Sequence, residues 1–413
     1  MRILSITAQK PDSTGSGVYL TELVKGFARQ GHEQAVTAGV YQEDRTVFPD
    51  GVEFYPVYFC TEELPFPIAG MSDEMPYEST VYGQMTAEMV RQFKEAFAAH
   101  IKEAVESFGP DLIICHHLYL LTALVRDMFP RRKVYGFCHN TDLRQMEKTP
   151  LERKFIRKQI QKLDAIFALH EEQREEIIRI YDVDRERIRI AGTGFNSSVF
   201  YPERPERDGK LRLIFAGKLS EKKGVISLLR CLRHLPWESG KMELLLAGGY
   251  GNEEEYAQIK QLAGEAPCPV HFLGRISQEE LAKAYNRSDI FVLPSFFDGM
   301  PLTMIEAMAC GDKVVITELP GIRPWVEEHV PGAPVVFVEP PQMRNTDEPV
   351  REALPEFEKR LAEKIVECAA MKDMGQPDLS RVSWENVCRT VLEEYGKKGT
   401  GNIGRDEEEG YVY

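Results

Sequence analysis

Twice along this chain a short apolar run ends in a turn of small residues and gives way to a helical pattern, and no other feature constrains the fold as tightly. Residues 2–8 alternate as a buried strand does, the loop Pro11–Gly17 follows, and Leu20, Leu23, Val24, Phe27 and Ala28 then recur at the spacing of one helix face. Gly31 closes that helix, and Gln34–Ala38 reads as the next strand. Apolar runs at 111–115, 133–137 and 164–169 continue the alternation. It breaks at 201–210, where two prolines, a glycine and dense charge mark a linker. A second series begins at Leu211, with strands near 211–216, 243–247, 269–273, 289–293 and 313–317. Strands that alternate with helices form parallel sheets covered on both faces. The expected fold class is therefore α/β: two doubly wound, Rossmann-like domains, at 1–200 and 211–380, facing a central cleft. Ligands of such sheets sit at the carboxyl ends of the strands.

Three stretches fall outside this rhythm. Residues 59–90, with prolines at 65, 67 and 76, read as a long irregular excursion. In the helix 381–395, Trp384, Val387, Cys388, Val391, Leu392 and Tyr395 form one apolar stripe that must be buried against something. Residues 396–413 are glycine-rich, carry the acidic run Asp406–Glu409 and are expected to be disordered.

Composition bounds the partners. A net charge of −14 sets the chain against nucleic acid as a main partner. Eight cysteines occur without a C-x-x-C pair, which fits reduced thiols better than a zinc site or a disulfide scaffold. No run of about 18 apolar residues is present, and the N-terminus reads as a strand rather than a signal peptide, so a cytoplasmic location is expected. One basic amphipathic segment, 153–162, fits peripheral contact with an anionic membrane on its inner face, or with a phosphorylated acceptor. A solvated helix face is the commoner use of such a run.

The richest segment runs from Pro294 to Gly311. An apolar strand ends before it, Asp298 stands in the loop, and a helix from Pro301 carries Glu306 and stops at Gly311. Two carboxylates flanking a helix N-terminus offer acceptors to sugar hydroxyls, and the helix's N-terminal amides, next to the turn Gly299, Met300 and Pro301, favour a diphosphate. Earlier, Phe215-Ala216-Gly217-Lys218-Leu219-Ser220-Glu221-Lys222-Lys223-Gly224 places cations in a loop between strand and helix, where they neutralise charge building on a leaving group. Gly15-Ser16-Gly17 lets backbone approach a ligand but lacks a dinucleotide fingerprint, and no ATPase P-loop motif occurs. Cys138-His139-Asn140-Thr141-Asp142-Leu143-Arg144 follows another strand, whereas His116-His117 lacks a metal-ligand set and reads as structural.

Together these segments resemble the family 4 retaining glycosyltransferases, across nearly the whole chain to about Tyr395. Their hallmark is P-S-x-x-E-G-x-x-x-x-x-x-E-A-x-A-x-G; here Asp298 stands for the first Glu, and Asp312-Lys313 follows Gly311 in place of x-Pro. The resemblance implies a GT-B fold whose terminal helix crosses back to the N-terminal domain, and transfer of a sugar from a UDP-, GDP- or ADP-sugar to an acceptor such as a glycan, glycolipid or small molecule. It makes Glu306 the ribose ligand, Asp298 and His139 donor-sugar ligands, and Lys218 and Lys223 the diphosphate's counter-charges, with Lys218 in the place of the family's arginine. Gly15 and Gly17 would lie against phosphate and acceptor, Gly248 in the ligand-binding glycine turn after the second strand of the second half, and Arg275 and Ile276 beside the base. Asp142 would orient its loop or the acceptor. No cofactor and no metal are expected, since Asp182-Val183-Asp184 lies in a turn before the linker. A GT-B epimerase and a catalytically silent sugar-nucleotide-binding subunit are the alternatives.

Overall fold

The chain is described by a computed structural model over residues 1–11, 13–45, 48–73, 75–203, 208–238, 240–345, 347–372 and 375–397. Positions 204–207 of the expected linker, and the expected tail from residue 398 on, lie outside the described residues.

The strands are β1 (Arg2–Thr7), β2 (Glu33–Val40), β3 (Glu53–Tyr58), β4 (Ala69–Gly70), β5 (Thr80–Val81), β6 (Leu112–His116), β7 (Val134–Phe137), β8 (Ala165–Ala168) and β9 (Ile188–Ile190) in the first half. In the second half they are β10 (Leu211–Ala216), β11 (Met242–Ala247), β12 (Val270–Gly274), β13 (Ile290–Leu293), β14 (Lys313–Thr317) and β15 (Val335–Val338). Two separate parallel sheets result, in the orders β3-β2-β1-β6-β7-β8-β9 and β12-β11-β10-β13-β14-β15. Each sheet reverses direction of growth beside its first strand, between β1 and β6 and between β10 and β13. At that switch the loops on either side part and leave a crevice. The central strands are continuous apolar runs because helices bury both faces: every residue of β6 and β13 is buried.

Residues 59–90 are less irregular than their prolines suggest. β4 and β5 pair as a small ribbon, a short 3-10 turn covers Tyr82–Gln84, and a helix starts at Ala87 under the Thr86 cap. The basic segment forms the helix Arg153–Ile160, which buries Ile156, Gln159 and Ile160 and exposes its cations. Among the described residues no helix is long and apolar enough to cross a membrane. All eight cysteines are free, and only Cys60 is exposed.

The helix Trp384–Gly396 packs on the helix Gly15–Arg29 of the first half. Trp384 meets Tyr19 edge-on at 4.9 Å, and the Cys388 thiol points at the Leu23 carbonyl at 3.8 Å. A methyl group built at Gly26 would lie 2.6 Å from Cys388 Sγ, so the glycine sets how closely the two helices approach. Arg189 clamps Glu394 at the other end, at 2.6 Å. Through Trp384, Val387 and Val391 one apolar core runs from the first sheet into the second.

Candidate active site

A cleft of about 600 Å³ opens where the carboxyl ends of the two sheets face each other. Its second-half wall is built by loops following β10, β11, β12 and β13, and they support one another. Leu219 donates its amide to the Gly249 carbonyl at 2.8 Å, Gly248 to Gly274 at 2.8 Å, and Phe296 to Lys222 at 2.9 Å. This nesting tolerates no side chain at two points. A Cβ at Gly224 (φ +73°) would lie 2.0 Å from the Pro294 carbonyl oxygen, and one at Gly248 (φ +139°) 1.8 Å from that of Gly217.

Lys218, Lys222 and Lys223 line the cleft from the loop after β10. Lys223 Nζ binds Asp298 Oδ2 at 2.6 Å, and the other carboxylate oxygen of Asp298 accepts the Gly299 amide at 3.0 Å. Gly299, Met300 and Pro301 also line the cleft, with Pro301 as the N-cap of the helix Leu302–Cys310 and no side chain capping its first amides. That helix end thus offers donors to an anion beside two lysines. Arg275 and Ile276 sit on the wall as well; the Arg275 guanidinium crosses over Gly249 and donates to the Pro76 carbonyl in the first half.

The opposite wall carries Gly15, Ser16, Tyr19, His139, Thr141 and Arg144. His139 is placed by three neighbours. The buried Asp142 carboxylate accepts its backbone amide at 3.1 Å and that of Leu118 at 2.7 Å. His116 Nδ1 lies 3.0 Å from His139 Nε2, and the Tyr19 ring stands edge-on at 5.2 Å. Burial pushes the His139 imidazole down to about 3, so it is neutral at physiological pH. His116 and His117 are lowered by burial and then by their imidazole neighbours. The histidine pair, read as structural, therefore supports the site: His116 holds His139, and His117 Nε2 meets Ser16 Oγ at 3.1 Å. Asn140, at φ +73°, reaches across the cleft and donates to the Asp298 carbonyl at 3.1 Å.

Two expected residues do not line the cleft. Gly17 is buried inside the helix Gly15–Arg29, where its amide donates to the Thr14 side-chain cap. Glu306 is only 6% exposed, and its carboxyl is pushed up to about 8 by burial and then by Glu22 of the first half. Glu22 is itself buried; it binds Lys25 at 2.9 Å through one oxygen, and the other has no partner among the described residues. Two carboxyl groups from opposite halves thus lie close enough for the charge of Glu22 to oppose ionisation of Glu306.

A cluster that no local pattern announced joins the halves at the cleft's edge. Arg144 binds Asp347 and Asp73, each at 2.6 Å, and Lys222 binds Asp347 at 2.9 Å, while Lys148 also pairs with Asp73. Arg144 lay within the sequence segment around His139; Asp73 and Asp347 sit in loops without any motif. Among the described residues no group of three or more His, Cys, Asp or Glu side chains is placed to hold a metal ion.

The comparisons with known proteins follow this division into halves. Residues 13–199 match the family described as Glycosyltransferase Family 4, and residues 200–365 the one described as Glycosyl transferases group 1. A D-inositol 3-phosphate glycosyltransferase of Frankia alni is 29% identical over 242 residues, which is 54% of this chain and 56% of that protein. Among solved structures, a trehalose-6-phosphate synthase superposes with a TM-score of 0.71 at 12% identity, covering 97% of this chain and all of the other. The sucrose-phosphate synthase of Thermosynechococcus elongatus does so at 0.67 and 18% identity, covering 96% and 98%. At such identities the superpositions speak to the fold alone.

Proposed function

The chain belongs to glycosyltransferase family 4 and has the GT-B fold; from that premise we propose that it transfers a sugar from a nucleotide-sugar donor to an acceptor hydroxyl, with retention and without a metal. One observation carries this reading: Lys218 and Lys223 line the same cleft as the uncapped helix end at Leu302, opposite His139. Charge building on a departing diphosphate would meet two lysines and several amides already in place, which is where fixed charges lower a barrier most. Lysine supplies that charge without the planar fork of arginine at position 218. The neutral His139, held on one nitrogen by His116, keeps its other ring nitrogen for a sugar hydroxyl. Glu306 is the ribose ligand in this scheme. Donor binding would then have to separate it from Glu22, so the seam opens slightly before the nucleotide seats.

The acceptor enters from the first-half side, past Ser16 and Thr141. The name of the Frankia alni relative makes a phosphorylated polyol one acceptor to test; such an anion would compete with Asp73 and Asp347 for Arg144 and Lys222 on the cleft wall. The exposed cations of the helix Arg153–Ile160 suit a peripheral membrane contact, which vesicle sedimentation with anionic lipid would read.

The test begins with thermal shifts against UDP-, GDP- and ADP-sugars and proceeds to turnover with the donor selected. Retention is read from the anomeric configuration of the product; an inverted product ends the mechanism proposed here. Turnover should persist in EDTA, and loss of activity that manganese or magnesium restores would replace the lysines with a metal as counter-charge.

A further inference from the structure

We propose that the seam between the two halves holds a second ligand site, separate from the donor cleft, for a phosphate-type anion. A pocket of about 180 Å³ lies where the chain passes between domains. The segment Ile190–Thr193 leaves the first half on one side, the helix Ile322–His329 of the second half forms another, and the helix Trp384–Gly396 returns along the third.

Two side chains in its wall are buried donors with nothing to bind. Trp325 is 3% exposed and Thr193 4%, and neither Trp325 Nε1 nor Thr193 Oγ1 has a partner among the described residues. An indole N–H can only donate, and a buried donor left unpaired is costly, so it marks a place for an acceptor atom. The charges agree. Arg381 and Arg389 line the pocket and no carboxylate does. Their own bonds leave donors over: Arg381 touches the Glu328 carbonyl at a long 3.4 Å, and Arg389 binds the Asn386 amide oxygen at 2.8 Å with Glu393 only at 3.8 Å. His329 stacks on the Trp325 ring and donates Nδ1–H to the Trp325 carbonyl at 3.0 Å, so it fixes the indole and is not counted among the anion's donors. Donors from three elements converging on one small space suit a tetrahedral oxyanion better than a planar carboxylate, and guanidinium groups are the side chains that bind phosphate bidentately.

The pocket also touches the catalytic side. Thr193 lines both cavities, and Tyr19, whose ring packs on His139 and Trp384, donates its hydroxyl to the Gly192 carbonyl at 2.9 Å. An anion bound here braces the outgoing chain, the returning helix and the second domain against one another, and so sets how the two halves sit.

Titration with inorganic phosphate, against chloride at matched ionic strength, tests this through the fluorescence of the three tryptophans, of which Trp325 is one. The wild type should give a saturable change specific to phosphate. Lys218→Gln/Lys223→Gln, which removes cations from the donor cleft and spares the Lys222 latch, should keep it. Arg381→Gln/Arg389→Gln should bind at least tenfold more weakly; both arginines are exposed, so this variant should melt with the wild type. Should it melt early, Arg381→Lys/Arg389→Lys, which keeps charge and loses the fork, must still weaken binding. No saturable change, an equal response to chloride, or a response lost with the lysines but kept without the arginines overturns the site.

Discussion

Glu306 and Glu22 set the first test at the level of single residues. A carboxyl held up at about 8 in the folded chain binds a proton that the unfolded chain, near its ordinary 4.5, has already released. The stability it contributes is complete below that ordinary value and is lost as pH rises towards 8. The neutral, buried His116, His117 and His139 act oppositely, losing stability as pH falls through about 6.5. Comparing wild type with Glu306→Gln isolates the carboxyl: the melting temperature of the wild type should fall by several degrees relative to the variant between pH 5 and 8, measured without ligand. A constant difference would show that Glu306 carries no bound proton. The same variant should bind the selected nucleotide about tenfold more weakly, because a carboxylate–hydroxyl contact contributes about 1.5–3 kcal/mol. At Lys223 the expected loss lies elsewhere. Lys223→Gln should lower kcat at least tenfold with a smaller change in KM, since counter-charge matters most as the diphosphate departs; an effect confined to KM would make it a ground-state ligand.

At the scale of elements, the contact between the helices Gly15–Arg29 and Trp384–Gly396 turns on one glycine. Gly26→Ala would gain about 1 kcal/mol of helix propensity, but the new methyl meets Cys388 Sγ at 2.6 Å inside a packed contact, and overpacking of this kind costs about 1–3 kcal/mol. The clash should win and lower the melting temperature, and Cys388→Ala should restore it in the double variant. If Gly26→Ala alone is stabilising, the helices have room that the structure does not show. Ending the chain at Lys397 should leave turnover unchanged. Ending it before Ser383 removes Trp384, the partner of Tyr19, and should cost turnover even where nucleotide binding by the second half survives. Within the two large sheets, the strands that sequence patterning passed over are β3, β9 and β15, and all three lie at sheet edges. Edge strands need not be apolar on both faces, and β3 even carries Pro56. Central strands announce themselves because burial on both faces demands continuous apolar runs.

For the whole molecule, the halves are held by Arg144, Lys222, Asp73 and Asp347 as well as by the two chain crossings. Burial opposes ionisation of both aspartates, yet Lys148 and Arg144 bring Asp73 down to about 2, and Lys222 and Arg144 hold Asp347 below its ordinary range, so the latch stays charged well into acid. Arg144→Ala leaves Asp347 paired with Lys222, and the chain should fold but open: small-angle scattering should show a larger radius of gyration, and KM for the donor should rise several-fold. An unchanged radius would place the restraint in the terminal helix alone. The sequence by itself determined the two parallel sheets, the cleft at their carboxyl ends and the loops that wall it, because periodicity and glycine turns act over a few residues and report local geometry directly. His139, Lys218, Lys223, Asp298 and the turn at Gly299–Pro301 could be placed on the cleft wall for that reason. Tertiary structure alone decided that Glu306 confronts Glu22, that His116 holds His139, and that Asp73 and Asp347 meet Arg144. These pairs are far apart in the chain, carry no local pattern, and acquire their charge states only from the burial and neighbours that folding brings together.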